Sequence, residues 1–184
     1  IVPQIDVPKG LRFVLPHAPV QPVTINGGFV MPAWFDILSL ERDSEEDGVG
    51  IKQAAAQLAA LIDKEVAAGI PAERIILMGF SQGGALALYA GLTHHERIGG
   101  IIGLSTYLPM RDSVDMDAIN YAEIPVAMAH GTEDEVVFPE WGELSRERLE
   151  TAGVSVDWQM YPMGHEICWA ELQQISQWIQ KFLD

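Results

Sequence analysis

One cysteine in 184 residues, Cys168, excludes an internal disulfide. A reducing compartment is the simpler home for such a chain, and the cytoplasm is the expected location. No run of about 18 apolar residues occurs, so no helical membrane span is expected. The opening IVPQIDVPKG has neither the basic start nor the long apolar stretch of a signal peptide. Basic residues are scarce, 11 against 26 acidic ones, and the net charge is −15. Nucleic acid and anionic membrane surfaces repel such a protein, so neither is an expected partner. No internal repeat, low-complexity tract or linker interrupts the chain. With 48% hydrophobic and 20% charged residues it reads as one globular domain over residues 1–184.

What is present is an alternation of apolar runs and amphipathic segments. Residues 11–15 predict a short strand ending at Pro16. Residues 17–46 hold many prolines and glycines without a clear period, which predicts a long ordered loop of the kind that tends to be functional. Within it, ERDSEED at 41–47 is the densest acidic cluster and reads as a solvated loop and helix start. Ile51, Ala55, Leu58, Leu61 and Ile62 recur at helical spacing, predicting a helix from 47 or 48 to 68, with Gly69 and Pro71 as stop signals. Strands are predicted at 75–78, 98–104, 124–129 and 154–160, and helices at 82–92, 139–151 and 166–183. Strands alternating with helices imply an α/β fold with a mainly parallel sheet covered on both faces.

The stretch GFSQGG at 79–84 sits between the predicted strand and helix at 75–92. A serine hydroxyl is a poor nucleophile unless a base takes its proton. A tight strand-to-helix turn exposes that hydroxyl at the carboxyl end of the sheet. The same turn aims the next backbone N–H, that of Gln82, at developing negative charge, helped by the helix N-terminus. Gly79 and Gly83, two positions either side of Ser81, complete G-x-S-x-G and let the turn pack closely. A serine N-cap flanked by turning glycines would look the same. Residues nearer the C-terminus separate the two readings. An acid cluster, Glu133, Asp134 and Glu135, comes just past one predicted strand, and His165 comes just past another. Serine, acid, histidine is the chain order of the α/β hydrolases, and a parallel sheet gathers those strand ends on one side. Ser81 would attack an acyl carbonyl, His165 would shuttle the proton, and the acid would orient the imidazole.

RFVLPHAP, NGGFVMPAWFDI, RIILMGFSQGGALAL, LSTYLP, IPVAMAHGTEDEVV and YPMGHEI occur in this order over nearly the whole chain. Together they resemble the carboxylesterase/phospholipase family that includes the acyl-protein thioesterases, with the bacterial carboxylesterase branch the closer likeness. The resemblance implies an α/β-hydrolase fold with a small cap, no cofactor, and hydrolysis of carboxylic esters, thioesters or lysophospholipids; it also allows homodimers. It selects Asp134 as the acid. It implies too that a strand and an HGxG-type segment precede the region beginning here, the segment supplying a second oxyanion donor. No HGxG lies upstream of Ser81, and His130-Gly131 belongs to the acid loop. In the family that strand lies between the strand at 11–15 and the one at 75–78. Without it the two would face each other across about 10 Å, with their ladder bonds unmade. The expectation is therefore an N-terminally incomplete hydrolase domain.

Met31, Trp34, Phe35, Ile37 and Leu38 form an apolar stretch around Pro32. Such residues either fill the core or line an acyl-chain site. The resemblance favours the second, with Trp34 and Leu38 at the rim and Met31 beside them. Leu104, Leu108 and Val137 read as core. His94-His95 ends a predicted helix, where cationic or polar groups suit the dipole. His17 falls in a turn. No histidine or cysteine spacing matches a known metal motif, so no metal is expected. Cys168, three residues after His165, reads as a small core residue rather than a nucleophile. The expectation is a carboxylesterase acting on small to medium acyl chains. The alternatives are an acyl-protein thioesterase or lysophospholipase, and a non-catalytic acyl-binding protein of the same fold.

Overall fold

The computed structural model describes residues 2–7, 9–39, 44–111, 114 and 123–184, so part of the acidic cluster, residues 41–43, lies outside the described residues. Four parallel strands make the central sheet: β3 (Ile76–Phe80), β4 (Gly100–Leu104), β5 (Val126–Gly131) and β6 (Val156–Tyr161), in that spatial order. Helix α1 (Gly48–Ala67) precedes them, α2 (Gln82–Thr93) joins β3 to β4, α3 (Pro139–Thr151) joins β5 to β6, and α4 (Trp169–Leu183) ends the chain. The element types match expectation. Asp47 starts α1 by accepting the Gly50 N–H on its carboxylate.

Alternation along the inner strands divides the core. Ile101, Val126 and Met128 face a cluster built with Ile51 and Ile62 of α1, Leu86 and Leu88 of α2 and Leu149 of α3. Ile102, Leu104, Ala127 and Ala129 face the other cluster, with Ile175, Trp178 and Ile179 of α4 and with Ile5. Both faces are thus covered, as a parallel sheet requires. Strand β5 is buried at every position, so its sequence shows a continuous apolar run rather than alternation. Among the described residues, no helix is long and apolar enough to cross a membrane.

Two segments depart from expectation. Residues 17–46 read in sequence as a loop without regular structure, but they hold an antiparallel hairpin of β1 (Val20–Val23) and β2 (Phe29–Pro32), paired from Val20↔Pro32 to Val23↔Phe29. Gly27 and Gly28, at φ 67° and 77°, make the turn. Of the strand residues only Val23 is fully buried, so no buried face imposes a period of two on the sequence. Residues 11–15 belong to no strand. They carry a strand-like run of apolar side chains, yet no described strand pairs with them, and Leu15 is 71% exposed.

Candidate active site

Ser81 lies between the last residue of β3 and the first of α2, at φ 54° and ψ −124°. A non-glycine residue held there costs on the order of 1–3 kcal/mol, so its surroundings must fix it. Its N–H donates to the Leu104 carbonyl at 2.9 Å, and the Thr106 hydroxyl donates to its carbonyl at 2.8 Å. Gly79 is needed because a Cβ there would lie 2.1 Å from the Gly83 carbonyl carbon. The sequence motif assigned the second close approach to Gly83, but a Cβ on Gly83 would meet nothing within 4 Å. Gly84 makes that approach instead: its Cβ would sit 2.8 Å from the Gly79 oxygen and from the Thr106 methyl. The corner thus rests on Gly79, Gly84 and Thr106, and local spacing gave no sign of Thr106.

Past β5, Asp134 is buried while Glu133 and Glu135 are exposed. One oxygen of Asp134 accepts the N–H groups of Val136 and Val137, both at 2.9 Å. The other lies 2.7 Å from His165 Nδ1, and His165 Nε2 lies 3.0 Å from Ser81 Oγ. Three strand ends, far apart in sequence, therefore meet in one line of hydrogen bonds. Gly131 lets the two loops close together, since a Cβ there would lie 2.3 Å from the Met163 carbonyl oxygen. Backbone bonds from Thr132 to Tyr161 and from Glu133 to Met163 hold them. His130 supports the acid loop from behind, with Nε2 2.8 Å from the Val137 carbonyl oxygen. Burial keeps His130 below the usual histidine range, although the Val137 carbonyl and Asp134 pull the other way. A neutral His130 donating Nε2–H suits that contact. The His165 ring packs on Phe80, centroids 4.6 Å apart.

Residues 5–183 match the Phospholipase/Carboxylesterase family. The chain belongs to that family. It is 43% identical over 182 residues to an acyl-protein thioesterase 1 of Gibberella zeae, covering 94% of this chain and 77% of that protein. It is 41% identical over 183 residues to an acyl-protein thioesterase 1 of Neurospora crassa, covering 94% and 74%. The crystal structure of Arabidopsis thaliana SOBER1 superimposes with a TM-score of 0.88 at 35% identity, covering 93% of this chain and 83% of that one. The α/β-hydrolase fold and the phospholipase/carboxylesterase likeness are thereby established. The two curated relatives bear the thioesterase name.

In this family member the side chain of Gln82 has a task that its sequence position did not reveal. Its carbonyl oxygen accepts the Trp34 N–H and its amide donates to the Phe35 carbonyl, each at 2.9 Å. The residue after the candidate nucleophile thus clamps the segment that follows the hairpin. Phe35 is buried in the core, and Trp34 is half-buried against it. Leu38 is half-buried; Met31, also half-buried, accepts the Asn26 amide on its sulfur. None of Met31, Trp34 and Leu38 lines the cavity of about 520 Å³ beside His165, whose walls include Phe80, Ile167, Trp169 and Leu172. Leu104, Leu108 and Val137 are core, as expected. Near that cavity, fully buried Glu171 has its carboxyl pushed up to about 7 by burial, against a smaller downward pull from the Cys168 backbone.

Proposed function

We propose that the protein hydrolyses acyl esters or thioesters through a covalent intermediate on Ser81. His165 Nε2 takes the Ser81 proton as Oγ attacks the acyl carbonyl, and the tetrahedral oxyanion is met by the Gln82 N–H. The imidazolium then gives its proton to the departing alcohol or thiol. Water, deprotonated by His165, attacks the acyl-enzyme, releases the acid and restores Ser81. Asp134 keeps the Nδ1–H tautomer and stabilises the imidazolium. The observation that carries this reading is the unbroken contact line of 2.7 and 3.0 Å from Asp134 through His165 to Ser81.

Carboxylic esters of small to medium acyl chains are the substrate class first expected. The thioesterase names of the two fungal relatives support thioesters as the second reading. Both pass through the same oxyanion, so matched esters and thioesters of graded chain length separate them by kcat/KM. The acyl chain is assigned to the surface of Trp34, Leu38 and Met31, a segment that Gln82 holds to the helix start beside Ser81 through the backbone of Trp34 and Phe35. The cavity beside His165 is the alternative seat, on the strength of its apolar walls. The lone cysteine supports a cytoplasmic location.

The test is turnover of a chromogenic ester by Asp134→Asn, Glu133→Gln and Glu135→Gln. Asp134→Asn is expected to lose about 10⁴-fold in kcat, the size seen when the triad acid of a serine protease is changed this way. The glutamate variants are expected to stay within about threefold of the parent, as exposed sites away from the imidazole should. Loss confined to a glutamate variant contradicts the assignment, and tight acyl binding without turnover by the parent points to the non-catalytic reading.

A further inference from the structure

At the far end of α2 from Ser81, three side chains converge that the proposed hydrolysis does not use. Asp63 comes from the last turns of α1, and His94 and His95 directly follow α2. The twelve residues of α2 separate this cluster from Ser81 by about 18 Å of helix. Asp63 Oδ1 lies 3.3 Å from His94 Nε2 and 3.8 Å from His95 Nε2. All three atoms fall within 4.8 Å of one another. A tetrahedral ion with ligands near 2.0–2.1 Å has ligand-to-ligand edges of roughly 3.3–3.5 Å, so the His94–Asp63 edge already fits and the exposed His95 side chain would move in by up to about 1.5 Å.

His94 supplies the second observation. It is 3% exposed, and its buried Nε2 has no hydrogen-bond partner. An unpartnered polar atom in that setting is costly and calls for an explanation. The opposite ring nitrogen is already held by Glu96: Nδ1 lies 3.0 Å from its carbonyl oxygen and 3.1 Å from its N–H nitrogen, so it can donate to the one or accept from the other. In the tautomer that a bound ion selects, Nδ1–H is donated to the Glu96 carbonyl and the Nε2 lone pair faces Asp63, the outer arrangement usual for a metal-bound histidine. A plain His94–Asp63 ion pair accounts for the proximity but leaves Nε2 without a well-aligned acceptor.

We propose that Asp63, His94 and His95 bind a first-row divalent transition ion such as Zn²⁺, with water completing the shell. Two imidazoles and one carboxylate suit such an ion better than Mg²⁺ or Ca²⁺, which prefer oxygen ligands. The ion joins the end of α1 to the end of α2 and acts as a brace, apart from the acyl chemistry. The inference stands independently of the proposed function.

The test is calorimetric titration of the chelator-treated chain with ZnCl₂, paired with thermal melts. The parent is expected to bind one equivalent with Kd below about 10 μM, and to melt several degrees higher with excess Zn²⁺. Asp63→Asn and His95→Gln replace side chains that are 52% and 63% exposed, so neither substitution should disturb the fold. Each is expected to weaken binding at least about tenfold and to abolish the zinc-dependent rise in melting temperature. The proposal is overturned if the parent binds no Zn²⁺ at about 100 μM. It is equally overturned if both variants keep the parent affinity, which would place the ion on other groups such as His165 or Cys168.

Discussion

The corner at Ser81 and the hairpin at residues 20–32 are joined through Gln82, which reaches from the first turn of α2 to the backbone of Trp34 and Phe35. They are built on opposite terms. At the corner, atoms are so close that single residues are compulsory: Gly79 and Gly84 admit no side chain, and Ser81 is held at positive φ by bonds to Leu104 and Thr106. In the hairpin little is compulsory beyond the turn. Val20, Phe29 and Val30 are 67%, 71% and 57% exposed, and the pairing is a short backbone ladder. Close packing constrains residue identity, whereas an open ladder constrains little more than length and turn.

The largest expected effect comes from breaking the corner. Gly79→Ala sets a Cβ against backbone rather than against a side chain that can swing away. Its stability loss is expected to reach or exceed about 3 kcal/mol, the upper end for overpacking, as read from urea unfolding. A loss below about 1 kcal/mol would mean that the corner has slack.

Next is the pH response of Glu171, buried in the first turn of α4. Its carboxyl ordinarily titrates near 4.5 and is pushed up to about 7 by burial. Between those values the folded chain keeps a proton that the unfolded chain has released. This group's contribution is therefore fully present below about pH 4.5 and declines as pH rises to about 7, by about 3 kcal/mol in all. Glu171→Gln is expected to remove that decline, so melts of parent and variant should diverge across this window. Parallel curves would contradict the account.

The smallest effect sharpens the comparison by cutting the link. Gln82→Ala keeps the backbone N–H but removes both clamp bonds, at an expected cost of about 1–2 kcal/mol. If the clamped segment carries the acyl chain, KM should rise more than kcat falls. A fall in kcat alone would tie Gln82 to the corner instead.

The same contrast explains what could be read from sequence. The convergence of Ser81, the acid loop and His165 was legible because each follows a strand, and parallel strands bring their ends together whatever lies between; the choice of Asp134 from the three acids there came from the family resemblance alone. The core of β4 and β5 was legible because total burial leaves long apolar runs. Residues 20–32 concealed a hairpin because burial imposes almost no pattern on them. Thr106 and Gly84 were hidden for another reason: their contacts cross between β4 and α2, and neither chain segment alone signals them. The side-chain role of Gln82 depends on Trp34, 48 residues away, and no local spacing encodes it.

The central claim is that Ser81 is activated by His165. The most direct measurement is labelling of the 184-residue chain with a fluorophosphonate, the modified residue being located by mass spectrometry. Stoichiometric modification at Ser81, lost in His165→Gln, is the predicted result. A folded chain that stays unlabelled, or that is labelled at another residue, would contradict it.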